Sequence, residues 1–244
     1  MRPVINQVPL SIWLFAFIVL AGVILSVLTR KLTISAALTG GIICFFIYLG
    51  AGFTGVAMLG TFFLLGSIAT SWQIGKKKRM GIAEKDGGRR KSGQVIANGG
   101  VAALCGFLIL KLPEYKNIFV MMMAASLSSA AADTLSSELG TLYGKRFYNI
   151  KTFQKDHRGK NGVISFEGCL IGVIGSIIIA LIYAIGFGFN YAAVFIVVAG
   201  TIGNLSDSLL GATLERKKLL GNNAVNFINT LMAALAAWLL FLVV

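Results

Sequence analysis

Charge is scarce in this chain, and negative charge scarcer still: 13% of its 244 residues are Asp, Glu, Lys or Arg, and only 9 are acidic. A soluble domain carries about 25% charged residues, so 57% hydrophobic residues and a mean hydropathy of +0.83 exclude an ordinary soluble globule. Histidine occurs once, as His157 in a loop, which gives little support to a histidine metal cluster or a Ser-His-Asp arrangement. The three cysteines, Cys44, Cys105 and Cys169, are odd in number, fall in apolar segments and lack metal-ligand spacing, so they read as packing residues. A phosphate-cradling G-x-x-x-x-G-K-[ST] loop is also missing; the nearest run, GTLYGKR (140–146), has the wrong spacing and follows a helix rather than a strand.

What the chain does have is long apolar segments, at about 9–28, 32–50, 52–71, 94–112, 117–140, 163–187, 190–214 and 224–244. A membrane helix needs roughly 20 such residues. The pattern therefore predicts an all-α fold, a polytopic membrane bundle of about eight helices forming one domain over 1–244. The first run is too long for a signal-peptide core and lacks a clear small-residue cleavage site, so it counts as a span.

The formal net charge of +13 is distributed unevenly. Nineteen of the 22 Lys and Arg residues follow odd-numbered spans: Arg30 and Lys31, then three basic loops at about 72–93, 141–162 and 215–223. Only Arg2, Lys111 and Lys116 lie on the other side. The positive-inside rule then predicts cytoplasmic basic loops and both termini outside, in a prokaryotic cytoplasmic membrane. Topology and contact with anionic lipid account for most of the charge. No nucleic-acid-binding module is visible, so nucleic acid is not an expected partner.

On that topology the polar residues of five spans converge at one depth. The fifth span brings Glu138 to its inner end and Asp133 about 7.5 Å deeper. The seventh contributes Asn204, Ser206, Asp207 and Ser208. The fourth, sixth and eighth start with Gln94 and Asn98, with Ser165 and Glu167, and with Asn226 and Asn229. The outer halves are almost purely apolar. This predicts a polar cavity open to the cytoplasm, and an acid placed in hydrocarbon is costly enough to suggest function by default. Asp133 and Glu138 lie about 140° apart around an ideal helix, so they share one ion only if the helix breaks, for instance near Gly140. Asn98, Asn226 and Asn229 also have a plainer reading as links between helices. Gly168 and Gly172, at G-x-x-x-G spacing, read as a packing surface. LSSELGTL (135–142) resembles LSDSLLGATL (205–214), which leaves both duplication and chance open.

Carboxylates and amide oxygens are hard ligands suited to Mg2+, which binds through one or two carboxylates, water and substrate phosphates. Lys and Arg above them suit phosphate oxygens, and Arg158 offers a bidentate fork. Together they match phosphoryl or nucleotidyl transfer on a lipid.

Four segments, GRRKSGQVIANGG (88–100), AADTLSSELG (131–140), RGKNGVISFEG (158–168) and GNLSDSLLGATLE with NNAVNFINT (203–215 and 222–230), resemble the integral-membrane family that includes transmembrane protein 19 and plant phytyl-phosphate kinase. The resemblance covers most of residues 70–235 in one order. It implies a kinase that uses a nucleoside triphosphate, with CTP favoured, to convert an isoprenoid monophosphate such as phytyl or geranylgeranyl phosphate to the diphosphate. The family looks distantly related to CTP-using polyprenol kinases and lipid cytidylyltransferases. The matching positions are Asn98, Asp133, Ser137, Glu138, Arg158, Gly162, Glu167, Asp207, Asn226 and Asn229, and Asp207 stands where plant members have Glu. The implied roles place Mg2+ and triphosphate on Asp133, Glu138 and Asp207, and metal or phosphate positioning on Glu167 and Asn98. Arg158 and Lys160 would neutralise phosphates, Ser137 would touch substrate, and Asn226 and Asn229 would orient the acceptor. The rival readings are a CTP-dependent lipid cytidylyltransferase and an ion-coupled membrane transporter.

Overall fold

Helices built from apolar side chains must shield their backbone polar groups internally to cross a bilayer, and the computed structural model, which describes residues 9–243, is a bundle of such helices. They are α1 (Leu10–Leu28), α2 (Ile34–Ser71), the short α3 (Ile74–Arg79), α4 (Ser92–Lys111), α5 (Lys116–Tyr143), α6 (Phe166–Phe187), α7 (Tyr191–Leu210) and α8 (Asn222–Phe241). Side-chain caps fix three starts: Thr33, Ser165 and Asn190 accept from the backbone N–H groups of Ala36, Gly168 and Ala192. Large apolar side chains such as Trp13, Phe17, Ile174 and Ile185 point outward, as expected of a surface solvated by lipid.

Among the described residues seven helices are long and apolar enough to span, yet eight spans were expected, and α2 resolves the difference. As a straight rod its 38 residues would measure about 57 Å, nearly twice the hydrocarbon thickness of about 30 Å. Gly52 breaks it with φ 61° and ψ −151°, a conformation favouring a residue without a Cβ. The chain doubles back there. Gly50 lies against Gly106 at the far end of α4, whereas Leu32, before the first arm, bridges to Arg90, and Gly66 in the second arm also meets Arg90. The two predicted segments at 32–50 and 52–71 are thus two arms of one broken helix, and the chain makes eight passes. Leu10 and Phe241 consequently lie on the same side; Arg2 falls outside the described residues.

At the centre stands α5, which touches α2, α4, α6, α7 and α8. Its stretch from 124 to 132, AASLSSAAA, is buried throughout. Small side chains let neighbouring backbones approach closely without lipid between them. Gly168, Gly172 and Gly175 of α6 and Gly200 and Gly203 of α7 supply the matching small surfaces, in keeping with the packing role expected of Gly168 and Gly172. By contrast, α1 packs chiefly on α2 at the periphery.

The basic loops gather on one face. Arg90 N–H donates to Lys31 O (2.9 Å), Lys31 bonds Ser71, and Arg216 Nε donates to Asn161 O (2.7 Å). Between α5 and α6 the chain forms a two-residue antiparallel pair, Tyr148–Asn149 with Val163–Ile164, which periodicity of such short strands could not reveal.

Candidate active site

The convergence of α4, α5, α7, α8 and the 144–165 loop leaves a cavity of about 220 Å³ on the basic face. Asp133, Ser137 and Glu138 line it from α5, Asn98 from α4, Asp207 from α7, Asn226 from α8 and Lys160 from the loop. Seven of the ten expected site residues therefore meet in one chamber.

Asp133 and Asp207 both line it, close enough for their carboxyl groups to interact directly. Asn229 Nδ2 donates to Asp207 Oδ1 (2.8 Å), and Asn229 Oδ1 in turn accepts from Ser129 Oγ (3.0 Å), so two buried neighbours fix the rotamer of Asp207. Glu215 stands close enough to add its charge to both acids. It gets there because α7 ends in a π-turn, Gly211–Glu215, a local widening that occurs often at functional sites. Two carboxylates in contact repel unless a cation or proton lies between them. Across the chamber Asn98 donates from Nδ2 to Gln94 O (2.9 Å), while its Oδ1 is buried with no hydrogen-bond partner.

Three expected site residues are elsewhere. Arg158 donates from Nη2 to Gly144 O (3.0 Å) and its guanidinium lies 4.7 Å from the Phe147 ring centroid, so it folds the loop rather than facing the chamber. Glu167 accepts from the backbone N–H of Lys145 (3.3 Å) beside the first turn of α6, outside the cavity lining. Asn229 is fully buried and acts on Asp207, so it does not reach an acceptor.

The metal set also needs correction. Among the described residues no three His, Cys, Asp or Glu side chains come together as a metal site. α5 runs unbroken through Gly140 to Tyr143, which keeps Asp133 and Glu138 on different sides of the helix. Glu138 instead forms a buried ion pair with Lys77, whose ammonium also donates to Ala69 O (2.7 Å).

Lys77, Arg90, Glu84 and Glu215 belong to the site or its wall and were not expected. A signal for Lys77 existed: a buried acid at the end of a span requires a cation, and KKKR (76–79) is one of the basic runs predicted on the same membrane face. Which lysine turns inward depends on α3, too short to detect from periodicity. Glu84, at the chamber's edge, has its carboxyl raised above the usual range by desolvation, with the Glu138 charge adding to the effect. The loop carrying Lys160 is held by Asp156, which reaches Arg216 (2.8 Å) and Lys160 (3.4 Å). The backbone N–H of His157 and then Arg216 hold the Asp156 carboxyl well below the usual range, so this tie survives as pH falls through ordinary carboxylate titration.

The same loop docks on the π-turn through glycines. Gly162 has φ 70°, and a Cβ there would collide with the backbone of Ala212, while one on Gly211 would lie 2.9 Å from Gly162 N. Gly162→Ala is therefore expected to push the loop off α7 and cut activity at least about tenfold through lost positioning. Limited proteolysis within 150–161 reports the displaced loop directly; an unchanged cleavage rate and unchanged activity would remove Gly162 from this role.

The model of the integral membrane protein family DUF92 matches residues 17–234. The chain is 33% identical over 214 residues to the chloroplastic protein VTE6 of Arabidopsis thaliana, covering 85% of this chain and 63% of that protein. It is 34% identical over 194 residues to the Synechocystis membrane protein sll0875, covering 78% and 75%, and 33% identical over 208 residues to the Methanocaldococcus jannaschii membrane protein MJ0933, covering 85% and 83%. The chain thus spans less than two thirds of VTE6 but most of the two microbial proteins. No solved structure matches.

Proposed function

Because the chain belongs to the integral membrane protein family DUF92, we propose that it is a membrane kinase moving the γ-phosphoryl group of a nucleoside triphosphate, CTP by preference, to an isoprenoid monophosphate such as phytyl or geranylgeranyl phosphate. The likeness to the family with plant phytyl-phosphate kinase supports the substrate class. The observation that carries the chemistry is the Asp133–Asp207 pair, supplied by two helices to a chamber that also holds Lys160.

Mg2+ fits that donor set. Asp133 and Asp207 would hold it, Glu215 adds negative charge, and Asn98, which lines the chamber, has a buried Oδ1 without a hydrogen-bond partner. When bound, the ion neutralises charge on the triphosphate and the transferring group. Lys160 contributes a second cation on the loop side. A phosphate oxygen of the lipid attacks the γ-phosphorus, the bond to the β-phosphate bridging oxygen breaks, and CDP leaves. The attacking oxygen is already ionised at neutral pH, so no general base is required. The positive-inside rule supports a chamber that faces the cytoplasm, where nucleotides are.

The test is purified protein in lipid nanodiscs with Mg2+, labelled CTP, and phytyl, geranylgeranyl and farnesyl monophosphates. Label from the γ position is expected in a lipid diphosphate. Label from the α position in lipid identifies a cytidylyltransferase instead, and ion-driven uptake without nucleotide consumption identifies a transporter. A transporter is disfavoured by the tightly packed apolar layer beyond the chamber, which includes Ile47, Met58, Met121, Ile179 and Ile196.

A further inference from the structure

Arg90, Gln94 and Asn98 line the polar chamber and also line the mouth of a second cavity, an apolar groove of about 190 Å³ between α1, both arms of α2 and the start of α4. Its wall on α1 covers residues 18–26, about 12 Å along the axis. The facing wall covers residues 56–63 of α2. Beyond the mouth the lining is apolar apart from Ser26 and the thiol of Cys44.

Gly22, exposed on α1, and half-buried Gly60 on the second arm of α2 both line this groove with nothing within 4 Å of where a Cβ would stand, so the groove opens between the helices towards the bilayer. Gly40, Gly41 and Gly99 deepen the same groove. At its mouth the Arg90 guanidinium lies 5.5 Å from the Phe62 ring centroid, packs against Gly66 and is within electrostatic range of Glu84, Glu138 and Asp133, so a phosphate there would share the cation with these acids. A guest that fits both parts is anionic at one end and hydrocarbon along its length, with room at the glycine notches for branch methyls.

We infer that this groove holds the isoprenoid chain of the acceptor lipid, that Arg90 binds the acceptor's phosphate at the mouth, and that Gly22 and Gly60 set the chain length accepted. The inference rests on the kinase reading and adds to it where the lipid enters and what measures it. Continuity at Arg90, Gln94 and Asn98 places a phosphate at the mouth beside the acids while the tail remains outside the polar chamber. A single groove joined to the chamber at Arg90 suits an isoprenoid phosphate, which carries one hydrocarbon chain directly on its phosphate, better than a bilayer phospholipid, which brings a glycerol and a second chain.

The experiment compares kcat/KM for geranyl and phytyl monophosphates with Mg2+ and CTP. Gly22→Leu and Gly60→Leu, on opposite walls, should each lower the phytyl-to-geranyl ratio about tenfold, the scale of discrimination that a filled apolar pocket provides. Arg90→Gln should raise KM for the lipid more than KM for CTP. A photoreactive geranylgeranyl monophosphate provides a readout on the wild-type protein even if a leucine variant does not fold. Label is expected on residues 18–26 and 56–63, and unlabelled prenyl phosphate should displace it. Equal displacement by phosphatidylglycerol, or label only elsewhere, overturns the assignment. No turnover of any monophosphate by the wild type defeats the kinase reading; normal turnover with unchanged ratios in both leucine variants defeats the groove alone.

Discussion

Asp133→Asn and Asp207→Asn are each expected to reduce γ-phosphoryl transfer by at least about 100-fold while leaving the helix bundle intact. Asparagine keeps the volume and one oxygen of aspartate, so the tight contacts of α5 with α7 lose little. What disappears is one negative charge from a pair whose closeness is stable only with a positive partner. Charge stabilisation by a bound metal amounts to several kcal/mol of the barrier, and each 1.4 kcal/mol is tenfold in rate. The two variants should also need more Mg2+ for half-maximal rate, which a purely structural lesion would not produce. Asn229→Ala is the graded control. It leaves both carboxylates but removes the donor that orients Asp207 (2.8 Å), and outer partners of metal ligands typically account for 10–100-fold. Turnover within threefold of wild type in both aspartate variants would exclude the pair as the metal site.

The gathering of these acids was legible because membrane topology converts sequence position into depth. Once the basic loops are assigned to one side, Asp133, Asp207, Asn98 and Asn226 must lie within a few turns of that side, and the structure indeed brings them to one cavity. Depth alone says nothing about azimuth. Asn229 and Asn226 are one turn apart, yet Asn226 lines the chamber while Asn229 turns into the α5–α7 contact. Arg158 shows a second limit. Its bidentate fork suited phosphate oxygens, but Phe147 and the Gly144 carbonyl, both in the same loop, capture the guanidinium. Local partners inside the 144–165 loop cannot be weighed without its fold. The eight passes were predicted from the lengths of the apolar segments and from basic loops falling after every odd-numbered span, although the two arms of α2 meet at Gly52 with no polar loop between them.

Breaking the Lys77–Glu138 pair should have the largest effect on stability. Lys77 is 1% exposed, donates to both Glu138 and the Ala69 carbonyl, and ties α3 and the inner end of α2 to α5. Removing one partner strands a buried charge, at a cost of about 3–5 kcal/mol. Lys77→Met and Glu138→Gln should therefore each lower the unfolding midpoint in detergent markedly, and Lys77→Met the more, because Glu138 faces the chamber that already holds Asp133. An apolar double replacement, Lys77→Met with Glu138→Met, removes both charges and should recover most of the loss, since a buried pair is often no more stabilising than apolar groups of the same size. Activity separates the two functions that Glu138 could serve. If Glu138 only anchors α5 to the loop that follows α2, the double variant recovers turnover together with stability. If Glu138 also binds substrate or metal, stability returns and turnover does not. Because the ammonium already occupies the carboxylate in the folded chain, the geometry favours the first outcome, with Asp133 and Asp207 carrying the chemistry.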